Sequence, residues 1–396
     1  MQIAIIGAGI GGLTAALCLH QQGFKVRIFE RHPVLEEVGA GIQIGPNGCK
    51  VLRALGLLEQ LKPFAFVPQA AEMRLGDTGK IIFSLPLAET SEQRYGAPYL
   101  NIHRADLQKV LASTVQQQMP DALQLGFELK DLTQDEQQVH LEFVNGQGFS
   151  ADLVIGADGI RSNVRHLLFN IEDGHFTGMA AWRMTIPTER LPKNLVPPKA
   201  TVWVGAHKHV VTYYLRGGEL VNLVGVVEHS SWPYDGWTCQ GSKQDILQDY
   251  QGWHPIIEQI LQAGDDTEFY QWALREIKPL ETWSSGRVTL LGDACHAMLP
   301  FMAQGAVMAI EDAWVLAQQL KGHADNINEA LYAYERLRKG RTSKVQATAR
   351  RNGQLYHQSS NAGRLLFYSP LWLASRMMPD FFAKQLDWLF AEDVTR

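Results

Sequence analysis

Three features of this 396-residue chain predict an α/β fold: a Rossmann-like unit with an inserted antiparallel sheet and a C-terminal helical region. The first is an apolar strand running into glycines, Ile3-Ala4-Ile5-Ile6-Gly7-Ala8-Gly9-Ile10-Gly11-Gly12. The second is a pair of apolar strands that each end on an aspartate, over residues 153–158 and 288–293. The third is a series of extended segments at regular spacing between residues 176 and 230.

In the first feature, Gly7 permits a tight turn and Gly9 lets backbone N–H groups approach a pyrophosphate. Gly12 lets the next helix pack close to the strand. The pyrophosphate then sits at the positive end of a helix over residues 11–22. A second strand, Lys25-Val26-Arg27-Ile28-Phe29, ends on Glu30. That carboxylate can accept hydrogen bonds from an adenosine ribose. Strand, glycines, helix, strand and terminal acid in this order predict a dinucleotide site, with NAD and FAD both open.

A loop over 33–48 should precede a helix near 49–60, with Asn47 as its N-cap. Residues 65–88 read as extended, and a helix runs from the Ile102-His103-Arg104 segment to about Met119. Extended stretches follow at 123–129, 138–144 and 149–155, with Asn145-Gly146 as a hairpin turn. The β-rich span suggests one antiparallel sheet inserted as a second domain. The chain returns to the first unit at residue 288, and helices follow over 305–320 and 327–352.

Composition narrows the partners. The net charge of −5 gives no basis for nucleic-acid binding or for an anionic membrane surface. Charged residues make up 19%, below the roughly 25% usual in globular domains, which suits an interior wrapped around a large ligand. Cys18, Cys49, Cys239 and Cys295 form no CxxC pair, so neither a metal site nor a disulfide framework is expected. There is no signal-peptide pattern and no apolar run of membrane-spanning length, and a cytoplasmic location is expected. The tail over 365–390 is rich in Leu, Phe, Trp and Met. It lacks a basic face, so it should cover the substrate domain or form a contact in a homodimer.

Two further motifs complete the pattern. Gly156-Ala157-Asp158-Gly159 ends one strand, with Arg161 and Arg165 one turn apart beyond it. Gly292-Asp293-Ala294-Cys295-His296 ends another, followed by Pro300-Phe301-Met302-Ala303-Gln304-Gly305-Ala306. In open α/β sheets, ligands bind at such carboxyl ends. With GxGxxG at Gly7–Gly12, DG at Asp158-Gly159 and GD at Gly292-Asp293, the chain resembles the class A single-component flavoprotein monooxygenases over about residues 1–350. Within them it looks most like the salicylate hydroxylase group, which includes 3-hydroxybenzoate 6-hydroxylase and 6-hydroxynicotinate 3-monooxygenase. Ala181-Trp182-Arg183, the 292–300 segment, Ala303–Ala306 and Ile310–Ala313 carry that likeness.

The resemblance implies FAD as cofactor and NADH or NADPH as co-substrate. It assigns Gly7, Gly9, Gly11 and Gly12 to the pyrophosphate and Glu30 to the ribose, with Arg31 near the adenosine. Arg104 and Gln108 would serve the phosphate or ribityl region. Asp293 would bind the ribityl hydroxyls, and Gly305, Ala306 and Val307 the pyrimidine edge of the flavin. Asp158 bears on both FAD and the nicotinamide nucleotide, and the charges of Arg161 and Arg165 suit a pyridine nucleotide phosphate. The implied activity is hydroxylation of a small phenol-, hydroxybenzoate- or hydroxypyridine-like ring with O2, through a flavin hydroperoxide. A flavin-dependent oxidoreductase on the same fold, acting on a larger non-benzoate heterocycle or polycyclic compound without hydroxylation, is the alternative. Candidates for acid–base work are His209, Tyr213 and His296. His209 and Tyr213 lie four apart on one strand and so share a face. Trp182, Arg183, Tyr213 and Pro300 are candidate substrate contacts, with Trp203, Tyr214 and Phe301 as further aromatic stock. Arg183 and Arg216 are candidates for holding a substrate carboxylate. The expected domains are 1–70, 100–172 and 275–350 for FAD, 71–99 and 173–274 for substrate, and 351–396 as a helical segment.

Overall fold

A computed structural model describes residues 1–35, 40–171, 173–234, 236–265 and 269–396. One six-stranded sheet carries the glycine fingerprint. Its order is Ser284–Ser285, Val288–Leu290, Leu153–Gly156, Gln2–Ile6, Lys25–Glu30 and Leu123–Leu125. All neighbours pair in parallel except the first two. Ile3–Ile6 and Leu153–Gly156 are buried throughout, as expected of strands covered on both faces. Parallel pairing brings Gly7, Asp158 and Asp293, each just beyond a strand, to one edge of the sheet. Part of the expected loop over 33–48 lies outside the described residues. Its remainder includes the strand Gly41–Ile44, in a small sheet with Leu100–His103 and Ala65–Phe66.

The following helix is Pro46–Ala54, shorter and earlier than expected, and Asn47 is not its N-cap. Gly45 holds that position and Pro46 occupies the first turn, where its missing N–H is harmless. Asn47 points into the interior instead. The Asn145-Gly146 turn joins Val139–Phe143 to Gly148–Ala151, with Gly146 at φ 80°.

The inserted sheet has eight strands. Their order is Thr238–Gln240, Tyr270–Glu276, His175–Pro187, Leu220–Glu228, Lys208–Leu215, Ala200–Gly205, Ala70–Leu75 and Ile81–Pro86. It is not purely antiparallel, because Ala200–Gly205 runs parallel to Ala70–Leu75. Side chains alternate between its faces. Trp182, Trp203 and Val210 point outward and pack with Ile246, Tyr250 and Ile257 from the helices Lys243–Asp249 and Pro255–Gln262. Ala181 and Val226 point inward and pack with Leu299 and Phe301. The inner face therefore rests on the loop that follows Asp293.

The helix Ile327–Tyr356 runs unbroken through the expected boundary at 350/351. Beyond it, helix Asn361–Met377 contributes Tyr368 and Leu371 to a cluster with Ile82 on the edge strand. Phe382 of helix Pro379–Phe390 stacks on Phe83, with ring centroids 5.2 Å apart. The tail thus protects an edge that would otherwise be open to pairing. Lys50 Nζ donates to the carbonyls of Phe390, Ala391 and Glu392 at 3.2, 3.0 and 2.9 Å, pinning the last helix to the first unit. Among the described residues, no helix is long and apolar enough to cross a membrane.

Candidate active site

The glycines of the fingerprint divide their work. Gly7 sits at φ 103°, and a Cβ there would fall 2.5 Å from the Ala157 carbonyl oxygen. At Gly12 a Cβ would fall 2.0 Å from the Gly7 carbonyl oxygen. At Gly11 it would meet Leu291 and Ala309, so this position serves helix packing. Only Gly9 faces open space, with nothing within 4 Å of an added Cβ. Close backbone contacts at Gly7 and Gly12 with open backbone at Gly9 make a cradle suited to a pyrophosphate at the head of helix Ile10–Gln21. Glu30 braces it, accepting from the Ala8 N–H at 2.8 Å and the His32 N–H at 3.0 Å. Gln108 Nε2 donates to the Ala8 carbonyl at 3.2 Å, so it steadies the loop. Arg31 is exposed beside His32. Arg104 opens the helix Arg104–Gln118.

Asp158 braces the start of helix Asn163–Phe169, accepting from the Val164 N–H at 3.1 Å through Oδ2, while Ser162 is the N-cap. Its Oδ1 is buried without a partner among the described residues, and burial pushes its carboxyl up. An orphaned acceptor beside the cradle fits a hydroxyl-bearing cofactor. Asp293 is exposed at the mouth of the same region, one residue beyond Gly292 at φ 65°. Past the turn Pro300–Met302, helix Gly305–Gly322 takes its first ladder bond at Met308 N–H to the Gln304 carbonyl, 2.8 Å. The N–H groups of Gly305, Ala306 and Val307 therefore precede the ladder, a site for a polarised carbonyl or anion. These features fit FAD.

A buried ion network lies beneath that cradle. Arg338 reaches Asp312 and Glu311 at 2.7 Å each, and Arg341 reaches Glu311 at 2.8 Å. Burial would raise both carboxyls, but Arg338, with Arg341 at Glu311 and His296 at Asp312, outweighs it and holds them below the usual range. Asp312 also accepts from the Gly292 N–H at 3.3 Å, and Asn47 donates to Glu311 at 2.6 Å and to Gln304 at 3.1 Å. His296 belongs here: its Nε2 lies 2.5 Å from Asp312. It was a candidate for acid–base work. The single helical turn Asp293–His296 points Asp293 outward and His296 into the interior, where its ring meets Asp312.

The inner sheet face collects the remaining candidates. His209 and Tyr213 are both buried and share this face, with Val211 between them; their backbones stand about 13 Å apart on the strand. Burial pushes the Tyr213 hydroxyl up, while Arg183 pulls it down. His209 is neutral, its pKa well below the ordinary value because of burial and then His357. The Phe301 ring packs on His209 edge-on at 4.9 Å, next to the exposed Pro300. Arg183 lies over Trp272 at 5.3 Å, and its Nε has no partner among the described residues. Burial lowers its pKa first, and Arg104 adds to this.

Other candidates are corrected. Trp182 lies on the outer face, donating Nε1–H to Asp249 at 2.7 Å, so it does not face the substrate region. Trp203 and Tyr214 share that outer orientation. Arg216 is held by Asp106 at 2.8 and 2.9 Å, which removes it as a carboxylate anchor. Arg165 is buried and donates to the Ala294 and Ile160 carbonyls at 3.0 and 2.8 Å, which makes it a structural strut. Arg161 instead stands exposed over Trp237 at 4.6 Å, opposite Arg275 at 4.9 Å. Sequence reasoning missed His357 and Tyr356, which reach His209 from the end of the long helix. No local signal marks them. Among the described residues no cluster of His, Cys, Asp and Glu could hold a metal ion.

A parallel-sheet cradle suited to an adenine dinucleotide, an acid at or just beyond each of three strand ends and a sheet face carrying Arg183, His209 and Tyr213 fit a flavin-dependent oxidoreductase. The comparisons agree. The model of a family described as FAD binding domain matches residues 1–349. The chain is 36% identical to 6-hydroxynicotinate 3-monooxygenase of Pseudomonas fluorescens over 356 residues, 89% of this chain and 91% of the relative. It is 33% identical to 3-hydroxybenzoate 6-hydroxylase of Polaromonas naphthalenivorans (strain CJ2) over 394 residues, 100% and 96% of the two chains. Klebsiella pneumoniae HpxO, solved with FAD and uric acid, superposes with a TM-score of 0.86 at 26% identity, covering 98% of this chain and 97% of its own. The chain belongs to the FAD-binding family of flavoprotein monooxygenases, the single-component aromatic hydroxylases.

Proposed function

We propose that this enzyme hydroxylates a small aromatic acid carrying a ring hydroxyl, with NADH or NADPH as reductant. The observation that carries this reading is Arg183: a half-buried guanidinium without a carboxylate partner among the described residues, on the same face as His209 and Tyr213. A half-buried guanidinium with an unpartnered Nε is incompletely compensated, and a substrate carboxylate would answer it. When bound, FAD supplies electron transfer and dioxygen activation. The residues that would hold it are Gly7, Gly9, Gly12, Glu30, Asp158, Asp293 and the helix head at Gly305–Val307. Neutral Tyr213 would donate to the substrate, and neutral His209 would accept the phenolic proton. Phe301 would help exclude water. Arg161, on the surface beside Trp237, would meet a nucleotide phosphate.

The test is a panel of 3-hydroxybenzoate, 6-hydroxynicotinate, 3-amino-4-hydroxybenzoate and uric acid, scored for stimulated NADH oxidation with hydroxylated product. Stimulation by one or more of the acids is expected. Oxidation that ignores every one of them and yields only peroxide contradicts the reading. Within this reading, Tyr213→Phe should lower hydroxylation by about tenfold or more while FAD content stays at the wild-type level. Unchanged product formation removes Tyr213 from the mechanism.

The unpaired thiols of Cys18, Cys49, Cys239 and Cys295 suit a reducing cytoplasm. Helix Asn361–Met377 exposes Leu365, Leu366, Phe367, Trp372, Leu373 and Met377, a row suited to contact between two copies. Sedimentation should give the mass of a dimer, and replacement of Leu366 and Leu373 by Glu should give a monomer. A wild-type monomer at all concentrations contradicts this.

A further inference from the structure

His209 ends a hydrogen-bonded chain that leads out of the protein. Its Nδ1 lies 2.7 Å from His357 Nε2. His357 Nδ1 lies 2.8 Å from Glu228 Oε1, and Glu228 Oε2 lies 2.7 Å from His207 Nδ1. The four groups grade from interior to surface. His209 is 1% and His357 7% exposed, whereas the side chains of Glu228 and His207 are 41% and 63% exposed. The outer pair lines an open cleft of about 500 Å³, shared with Thr177–Met179 and His229–Ser230.

We propose that His357 and Glu228 form a proton relay that sets the tautomer of His209 and carries the substrate's phenolic proton to solvent. This rests on the aromatic-hydroxylase reading above. The direction of the chain follows from its outer end. Burial raises the Glu228 carboxyl, but His207 and His357 outweigh it, so Glu228 is a carboxylate that can only accept. His357 must therefore present Nδ1–H to it. Burial keeps His357 neutral, so its Nε2 is a bare acceptor. That acceptor requires Nδ1–H on His209, which leaves the His209 Nε2 lone pair free as a base.

The transfer balances. The substrate O–H bond breaks and an N–H bond forms at His209 Nε2. The Nδ1 proton of His209 moves to His357 Nε2, and the Nδ1 proton of His357 moves to Glu228, which releases it to water directly or through His207. The net change is a bound phenolate and one proton in solvent. Reprotonation of the product phenolate runs the chain backward and restores the starting tautomers. The other titratable groups facing the chain are Tyr356, packed 5.1 Å from the His209 ring, Tyr250 and, at the outer cleft, His229. Tyr250 donates to the His209 carbonyl at 3.2 Å, and burial pushes its hydroxyl well up. Burial likewise raises the Tyr356 hydroxyl, so neither tyrosine offers a competing charge.

His357 and Glu228 touch no reacting atom, so they are positioning residues, and their test reads protons. The FAD-loaded enzyme is mixed with each of the three hydroxylated acids named above, in weak buffer with an indicator dye, and the ligand's phenolate absorbance is followed. In the wild type, a binding acid should appear as phenolate with release of one proton. In His357→Leu and Glu228→Gln, proton release should slow at least tenfold and the phenolate band should form only at higher pH. Added imidazole should restore the rate in His357→Ala. His140→Asn, far out on a surface hairpin, should behave as wild type. If His357→Leu loses FAD, Glu228→Gln at the half-exposed outer end decides alone. Wild-type proton release in variants that bind the ligand overturns the relay and leaves the hydroxylase reading intact. Failure of the wild type to bind or ionise any of the acids overturns both.

Discussion

Replacing Gly12 with alanine is expected to give a colourless, destabilised protein. The added Cβ would stand 2.0 Å from the carbonyl oxygen of Gly7, a backbone atom fixed between the strand Gln2–Ile6 and its helix. No rotamer change relieves that overlap. The helix must move off the strand, at about 1–3 kcal/mol for an overpacked site. Because that helix head forms the pyrophosphate cradle, cofactor affinity falls with it. Gly9→Ala supplies the contrast. Its Cβ meets nothing in the protein, so the melting temperature of the cofactor-free form should match wild type while FAD retention drops. The ratio of flavin absorbance to protein absorbance after purification reads both variants. Stoichiometric FAD in Gly12→Ala contradicts this view of the fingerprint.

The second large effect is expected at Arg338. It is 1% exposed and bridges Glu311 and Asp312. Removing one partner of a buried ion pair costs about 3–5 kcal/mol, because the abandoned charge stays buried. In Arg338→Ala, Arg341 still answers Glu311, but among the described residues Asp312 retains His296 and the Gly292 N–H alone. Thermal unfolding should show a large fall in melting temperature, with loss of FAD accompanying it, since Gly292 leads directly into Asp293. Arg338→Lys should rescue little, for an ammonium cannot span two carboxylates as the guanidinium fork does. Arg341→Ala, nearer the surface, should cost less. Equal melting temperatures for wild type and Arg338→Ala would show that the network carries no net stability.

The cofactor half of the site is legible in the sequence because its chemistry is local. Gly7, Asp158 and Asp293 follow their apolar strands by one to three residues and Gly12 lies in the first turn of the helix after Gly7, so their geometry is set by neighbours in the chain. The substrate half is less legible. Strand His175–Pro187 is buried on both faces around Ala180-Ala181-Trp182, so no apolar–polar alternation tells which side chain looks inward. Trp182 attracts the substrate reading by size, yet pairing register turns Ala181 and Arg183 inward. His296 misleads for a related reason. Its proximity to Asp293 in sequence suggests a shared site, but a helical turn separates their directions. The contacts of His357 with His209 and Glu228 span 148 and 129 residues, beyond any spacing rule.

The central claim is that bound FAD and the inner face around Arg183, His209 and Tyr213 together insert one oxygen atom into a hydroxylated aromatic acid. Turnover under isotopically labelled dioxygen measures it directly, with product mass and NADH consumption followed together. One labelled oxygen atom in the product for each NADH consumed is the predicted result. NADH consumption that the acids accelerate, with all label recovered as peroxide and none in the ring, would contradict it.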